Sequence, residues 1–106
     1  MKLYMKNRNN RYDAAAEYDV TEKRFVVLKG SRVSDTISAS PTFRGKKNIE
    51  KLRDDNVKNC IVQNDIEFRS SSTAANFITG GSNNGLRAWK DETGKKLKEI
   101  LLEMKG

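Results

Sequence analysis

The run ArgPheValValLeuLys at 24 to 29 sets apolar side chains on both faces of one extended segment. A strand with one wet face alternates apolar with polar, so a strand apolar on both sides belongs near the centre of a sheet, with neighbours supplied by the rest of the chain. LysLeuTyrMetLys at 2 to 6 alternates, and AsnArgAsnAsn at 7 to 10 supplies turn formers. ArgTyrAspAlaAlaAlaGluTyr at 11 to 18 then sets Tyr12, Ala14, Ala16 and Tyr18 on one side at period two. Consecutive alanines favour a helix intrinsically, but the segment is short, and its flanking tyrosines and turn residues suit an antiparallel strand.

After Gly30 and Ser31, ArgValSerAspThrIle at 32 to 37 resumes alternation and predicts another strand, with Val33, Asp35 and Ile37 on one face. An Asp35 on that apolar side needs a partner. Ser40 is a candidate N-cap with Pro41 at the first helical position, and the helix matures over 46 to 55, burying Ile49 and Leu52 with Phe43 and Val57 at its ends. CysIleValGln and IleGluPheArg, split by Asn64 and Asp65, read as two short strands or one interrupted strand. SerSerSer at 70 to 72 caps a second helix, ThrAlaAlaAsnPheIle, which Gly80 and Gly81 stop. LeuArgAlaTrpLys at 86 to 90 reads as a late strand by alternation, and AspGluThrGly as a turn. Residues 95 to 104 form an amphipathic helix with Leu97, Ile100, Leu101 and Met104 on one stripe, read as core rather than a dimer contact. The expectation is one α+β domain over residues 1 to 106: a small antiparallel sheet of N-terminal strands plus a late strand, packed with about three helices.

Charge and residue usage narrow the function classes. Lys and Arg number 21 against 14 Asp and Glu, a net charge of +7 that attracts polyanions. The chain has no histidine, which removes the commonest general base and zinc ligand. Its one cysteine, Cys60, therefore lacks a Cys-His partner, reads as a packed thiol, and fits a reducing compartment. No apolar run approaches the roughly 20 residues of a spanning helix, and MetLysLeuTyrMetLys carries no apolar signal core, so the reading is cytoplasmic, with no membrane partner.

Gly80 and Gly85 have Walker-like spacing, but Leu86 and Arg87 stand where Lys and Ser or Thr would contact phosphate and magnesium, and a helix precedes the glycines. Gly80, Gly81, Asn84 and Gly85 thus read as a structural turn. Asp54 and Asp55 read as a solvated pair, and Asp65, Glu67 and Arg69 as a poor match to a nuclease triplet, since arginine cannot orient or activate water as lysine would. No catalytic residue, metal or cofactor is assigned. Lys46 and Lys47, and Lys95 and Lys96, stand where helices begin and where cations oppose the macrodipole, making them candidate phosphate contacts. Arg87, Trp89 and Lys90 form a third constellation: on a strand, Arg87 and Trp89 share a face that could stack on a base, unless the indole packs in the core.

PheValValLeuLysGlySer at 25 to 31, PheArgSerSerSerThrAlaAla at 68 to 75 and AsnGlyLeuArgAlaTrpLys at 84 to 90 together resemble the signature of a bacterial domain-of-unknown-function family, found alone or at the C-terminus of GIY-YIG nuclease-type and restriction-associated proteins. The tail is also loosely similar to the restriction-adenine-methylase-associated domain. The resemblance implies a small α+β domain accompanying DNA-processing machinery, with Gly85 and Trp89 matching the family's defining glycine and tryptophan. The chain departs from that pattern at Gly81, where a larger, often basic residue is expected, and in a shortened segment between Val62 and Phe68.

The expected function is a non-enzymatic nucleic-acid-binding module, for DNA before RNA. Phosphates would be held by Lys46, Lys47, Lys95 and Lys96, with base or groove contact from Arg87, Trp89 and Lys90. The alternative is a protein-interaction or dimerisation domain that docks a nuclease or methylase.

Overall fold

The computed structural model describes residues 1 to 105. Strands β1 (Lys2–Lys6), β2 (Asp13–Asp19) and β3 (Arg24–Val27) form an antiparallel meander, and β3 lies inside the sheet as its two apolar faces predict. Helix α1 (Lys46–Asn56) follows, then the small hairpin β4 (Val57–Lys58) and β5 (Ile61–Val62). β6 (Ile66–Phe68) returns to pair with β3, completing a four-stranded sheet in the order β1-β2-β3-β6. Helices α2 (Ser71–Thr79), α3 (Gly85–Ala88) and α4 (Leu97–Lys105) end the described chain.

Period two decides the two faces of the sheet. Leu3 and Met5, Ala14 and Ala16, Phe25 and Val27, and Ile66 and Phe68 are buried on the inner face. There Phe25 lies 5.0 Å from the Trp89 ring and Phe68 lies 5.4 Å from Phe77 of α2. Ala14 and Ala16 are buried where β2 pairs with β1 and β3, so tertiary packing overrides their helix preference.

Three expectations fail, each because a local bond satisfies the backbone differently. Residues 32 to 37 make no strand: Arg32 alone bridges Asp13 and Ile61, and the chain then turns to the end of α2, where the Ser34 amide donates to the Ile78 carbonyl at 2.9 Å. Ser34 also donates its hydroxyl to the Thr36 and Thr79 carbonyls, and Asp35 is exposed rather than buried among apolar groups. Ser40 does not cap α1. Its hydroxyl accepts from the Thr42 amide and its carbonyl from the Phe43 amide, closing a turn around Pro41, while α1 starts after Gly45 in a left-handed conformation. The late strand of the sheet is β6, and residues 86 to 88 lie in α3.

The capping signals behave as their chemistry predicts. Ser70 Oγ accepts from the Thr73 amide at 3.1 Å to start α2, and Gly80 ends it at φ +77° with its amide on the Asn76 carbonyl. Ile49 and Phe43 are buried around α1, with Leu52 and Val57 half-buried. On α4, Leu97 is buried and Ile100 and Leu101 half-buried, but Met104 is 60 % exposed, so the apolar stripe leaves the core before its end.

Candidate nucleic-acid interface

The segment from Ser70 to Trp89 is one interlocked unit. Asn84 Oδ1 accepts from the Leu86 amide and caps α3, whose C-terminal neighbour Trp89 donates its amide to the Gly85 carbonyl. The indole is fully buried and its Nε1 donates to the Ser71 carbonyl at 3.0 Å, while the Gly85 amide donates to Ser72 Oγ at 2.9 Å. A Cβ on Gly85 would stand 2.3 Å from the Ser71 carbonyl carbon. The serines, the glycine and the tryptophan that make this region distinctive therefore fasten α3 across the first turn of α2.

This geometry corrects two expectations. Because Asn84 nucleates a helical turn, Arg87 and Trp89 share no strand face, and Trp89 at 0 % exposure is core rather than a ligand contact. The Walker-like loop is followed by a four-residue helix rather than a strand, yet its first glycine packs against the Thr36 carbonyl and α2 precedes it, so the strand-loop-helix order of a phosphate loop is still absent.

The sheet's outer face is less covered than the inner one: Tyr4, Ala15 and Val26 are half-buried there, and Met104 near the end of α4 lines a concavity with Glu17 and Val26. Its register gives three cross-strand rows, since residues directly opposite one another point to the same side. The middle row runs Lys96, Lys90, Tyr4, Ala15: Tyr4 pairs with Ala15 of β2 on one side and bridges Lys90 on the other, and Lys90 in turn bridges Lys96. The Tyr4 amide donates to the Lys90 carbonyl at 2.7 Å and the Lys90 amide to the Tyr4 carbonyl at 3.0 Å. One flanking row holds Lys6, Asp13, Arg32 and Ile61; the other holds Lys2, Glu17, Val26 and Glu67.

Acidic groups on this face already have partners. Glu67 meets Arg24 at 2.7 Å, Asp13 meets Lys6 at 4.0 Å, and Glu17 meets the N-terminal ammonium at 3.8 Å. Among the described residues Lys2, Arg87, Lys90 and Lys96 form no ion pair, and they gather where β1 meets α3 and the segment leading to α4. The segment is shaped by Asp91, whose carboxylate accepts from the Thr93 hydroxyl and from the Thr93 and Lys95 amides. The Thr93 hydroxyl bond, with the backbone amides and nearby Lys95, holds that carboxyl below its usual range.

The remaining candidates lie elsewhere. Lys95 donates to both oxygens of Glu103 at 2.8 Å, a bond that raises its pKa and ties it to α4. Lys46 lines a shallow concavity with Asp35, Glu50 and Asp54, where carboxylates rather than cations dominate, and Lys47 follows it on α1. Asp65 accepts from the Lys29 amide at 2.8 Å and Glu67 is committed to Arg24, so the acids near Arg69 serve the fold. Cys60 is half-buried at φ +65° in the β4–β5 turn. Among the described residues no group of three His, Cys, Asp or Glu could hold a metal ion, and no helix is long and apolar enough to cross a membrane.

Sequence reasoning misses two residues. Tyr4 is one; its signal is the alternation of β1, which puts Lys2, Tyr4 and Lys6 together on the side away from Leu3 and Met5. The other is Arg53, whose guanidinium reaches the carbonyls of Ser34, Thr36, Phe77 and Ile78 and the Ser34 hydroxyl over 2.9 to 3.3 Å. It stands at the C-terminal end of α2, where carbonyls lack helical partners and a cation is favoured. Burial lowers its pKa, opposed by nearby Cys60 and Asp35. Arg53→Lys leaves the Ser34 and Phe77 carbonyls short of donors, because an ammonium cannot reproduce the planar fork, while Ile78 and Thr36 keep the Ser34 amide and hydroxyl. The expected loss in chemical denaturation is about 2 kcal/mol; an unchanged midpoint would show that water replaces the fork.

These features define a small α+β domain, a four-stranded antiparallel sheet packed with four helices. The chain belongs to a domain of unknown function family, DUF4357, whose model matches residues 4–101. Comparison with curated proteins and with solved structures gives no match.

Proposed function

We propose that the chain is a non-enzymatic nucleic-acid-binding module, for DNA before RNA, that works in the cytoplasm beside DNA-processing or restriction systems. One observation carries the reading: Lys96, Lys90 and Tyr4 stand in a single row on the outer sheet face, with Lys2 beside them and Arg87 nearby on α3, and none of these cations is ion-paired among the described residues. Unpaired cations around a half-buried ring suit a ligand with repeated phosphates and flat bases. The net charge of +7 supports this, as does the resemblance to a family accompanying nuclease-type and restriction-associated proteins. Lys46 and Lys47 stand apart from this face, so any phosphate they hold extends the footprint around the molecule.

A second reading, docking of a nuclease or methylase partner, is favoured by Leu102 and Met104 of α4, each 60 % exposed. Titration of the labelled protein with duplex DNA, single-stranded DNA and RNA separates the two. Nucleic-acid binding predicts an affinity that falls on the order of 100-fold between about 50 and 200 mM salt, as counterions released by roughly five phosphate contacts require. No binding to any polymer at low salt would remove the first reading, and self-association in ultracentrifugation would then support the second.

A further inference from the structure

We infer that the outer face takes single-stranded nucleic acid, with Tyr4 as the platform on which an unpaired base stacks. The inference rests on the nucleic-acid reading above and adds the form of the ligand. Tyr4 forms a wall shared by two concavities. One, of about 480 Å³, is lined by Lys2, Ala15, Leu28, Lys29 and Arg32, with Asp13 as its one acid. The other, of about 240 Å³, is lined by Lys6, Tyr12, Asn83, Arg87 and Lys90, with no acid.

Cations thus flank the ring on both sides, as a strand crossing it would need for the phosphates before and after the stacked base. Nothing bulky stands opposite the ring on β2, because its cross-strand neighbour is Ala15. The Lys2 ammonium lies 6.0 Å from the ring centroid, near enough to contribute a cation over a stacked pair. Only a nucleotide outside a duplex can offer a free base face, and base-aromatic stacking accepts any base. Duplex DNA is read instead by a helix or a two-stranded ribbon entering a groove about 12 Å wide, and the tyrosine row presents neither. Among the ribbon-like elements, the β1–β2 hairpin carries Arg8 and Arg11 in its turn, which gives the duplex alternative its own test.

The experiment measures fluorescence anisotropy of the intact protein with a labelled single-stranded DNA, its duplex and an RNA of the same sequence, at one low salt concentration. The single strands, DNA and RNA alike, should bind at least roughly 10-fold more tightly than the duplex. Tyr4→Ala should weaken that binding on the order of 10-fold, Tyr4→Phe should preserve it, and Lys90→Glu should weaken it without change in the folded spectrum. Equal or tighter binding of the duplex overturns the inference, as does an unaffected Tyr4→Ala protein; loss of binding in Arg8→Glu with Tyr4→Ala unchanged would move the site to the turn. Those outcomes leave the broader nucleic-acid reading standing, whereas no binding to any of the three polymers ends both.

Discussion

Trp89→Ala unfolds the chain under conditions where the parent protein is stable. Removing a fully buried large aromatic costs about 3 to 5 kcal/mol through lost transfer energy and the cavity left behind. Here the Phe25 ring 5.0 Å away loses its neighbour, and the Ser71 carbonyl loses the indole donor at 3.0 Å. That carbonyl, in the first turn of α2, keeps only its helical donor, so the loss reaches the helix that Gly85 also fastens through Ser72. Against a typical total of about 5 to 15 kcal/mol for a small domain, one substitution consumes most of the margin. Trp89→Phe keeps part of the volume but not the N–H, and should fall between the two. The measurement is thermal unfolding by far-ultraviolet circular dichroism, since the substitution removes the chain's only tryptophan. A folded Trp89→Ala protein that had merely lost nucleic-acid binding would reverse the assignment of the indole to the core.

Gly80→Ala should be nearly as damaging, and Gly81→Ala next to it nearly silent. Gly80 sits at φ +77°, where an added Cβ would meet the Thr36 carbonyl oxygen 2.0 Å away. The left-handed conformation costs about 1 to 2 kcal/mol for an L side chain, and overpacking adds about 1 to 3. The clash cannot be relieved by a swinging side chain, because the obstacle is backbone, held in turn by Arg53 and Ser34. A total of roughly 2 to 5 kcal/mol follows if the two add. At Gly81 a Cβ meets nothing within 4 Å. Denaturation midpoints of the two variants check the contrast; equal shifts would mean that the pair acts only as a flexible helix stop.

Those neighbouring glycines show what could be read in advance. A helix stop at 80 to 81 is visible because glycine follows a capped apolar run, but which glycine carries the strain depends on where residues 34 to 36 pass, a non-local fact. The N-terminal strands are legible because their alternation matches the pleat, and α2 because Ser70 and Gly80 bracket it. Residues 86 to 90 mislead because five alternating residues are compatible with either a strand or one helical turn running into an extended end. Asn84, a strong N-cap, is the signal that separates them. At the candidate site, the lysines are visible from charge alone, but Tyr4 gains meaning only once the fold bridges it to Lys90. Arg53 could not be read at all, since its partners are mostly backbone carbonyls and these carry no residue signature.

One edge strand, β1, has its free side bridged at Tyr4 alone among the described residues, by Lys90. Lys2 and Lys6 flank that bridge, and lysines along an exposed strand discourage a second chain from adding to it. The same side chains that suit phosphates thus also protect the molecule from growing edge to edge. Neutralising them to weaken nucleic-acid binding would invite stacking of sheets and could mimic a loss of activity through precipitation. Reversal to glutamate avoids this confusion, because it repels phosphate while leaving the strand charged and solitary.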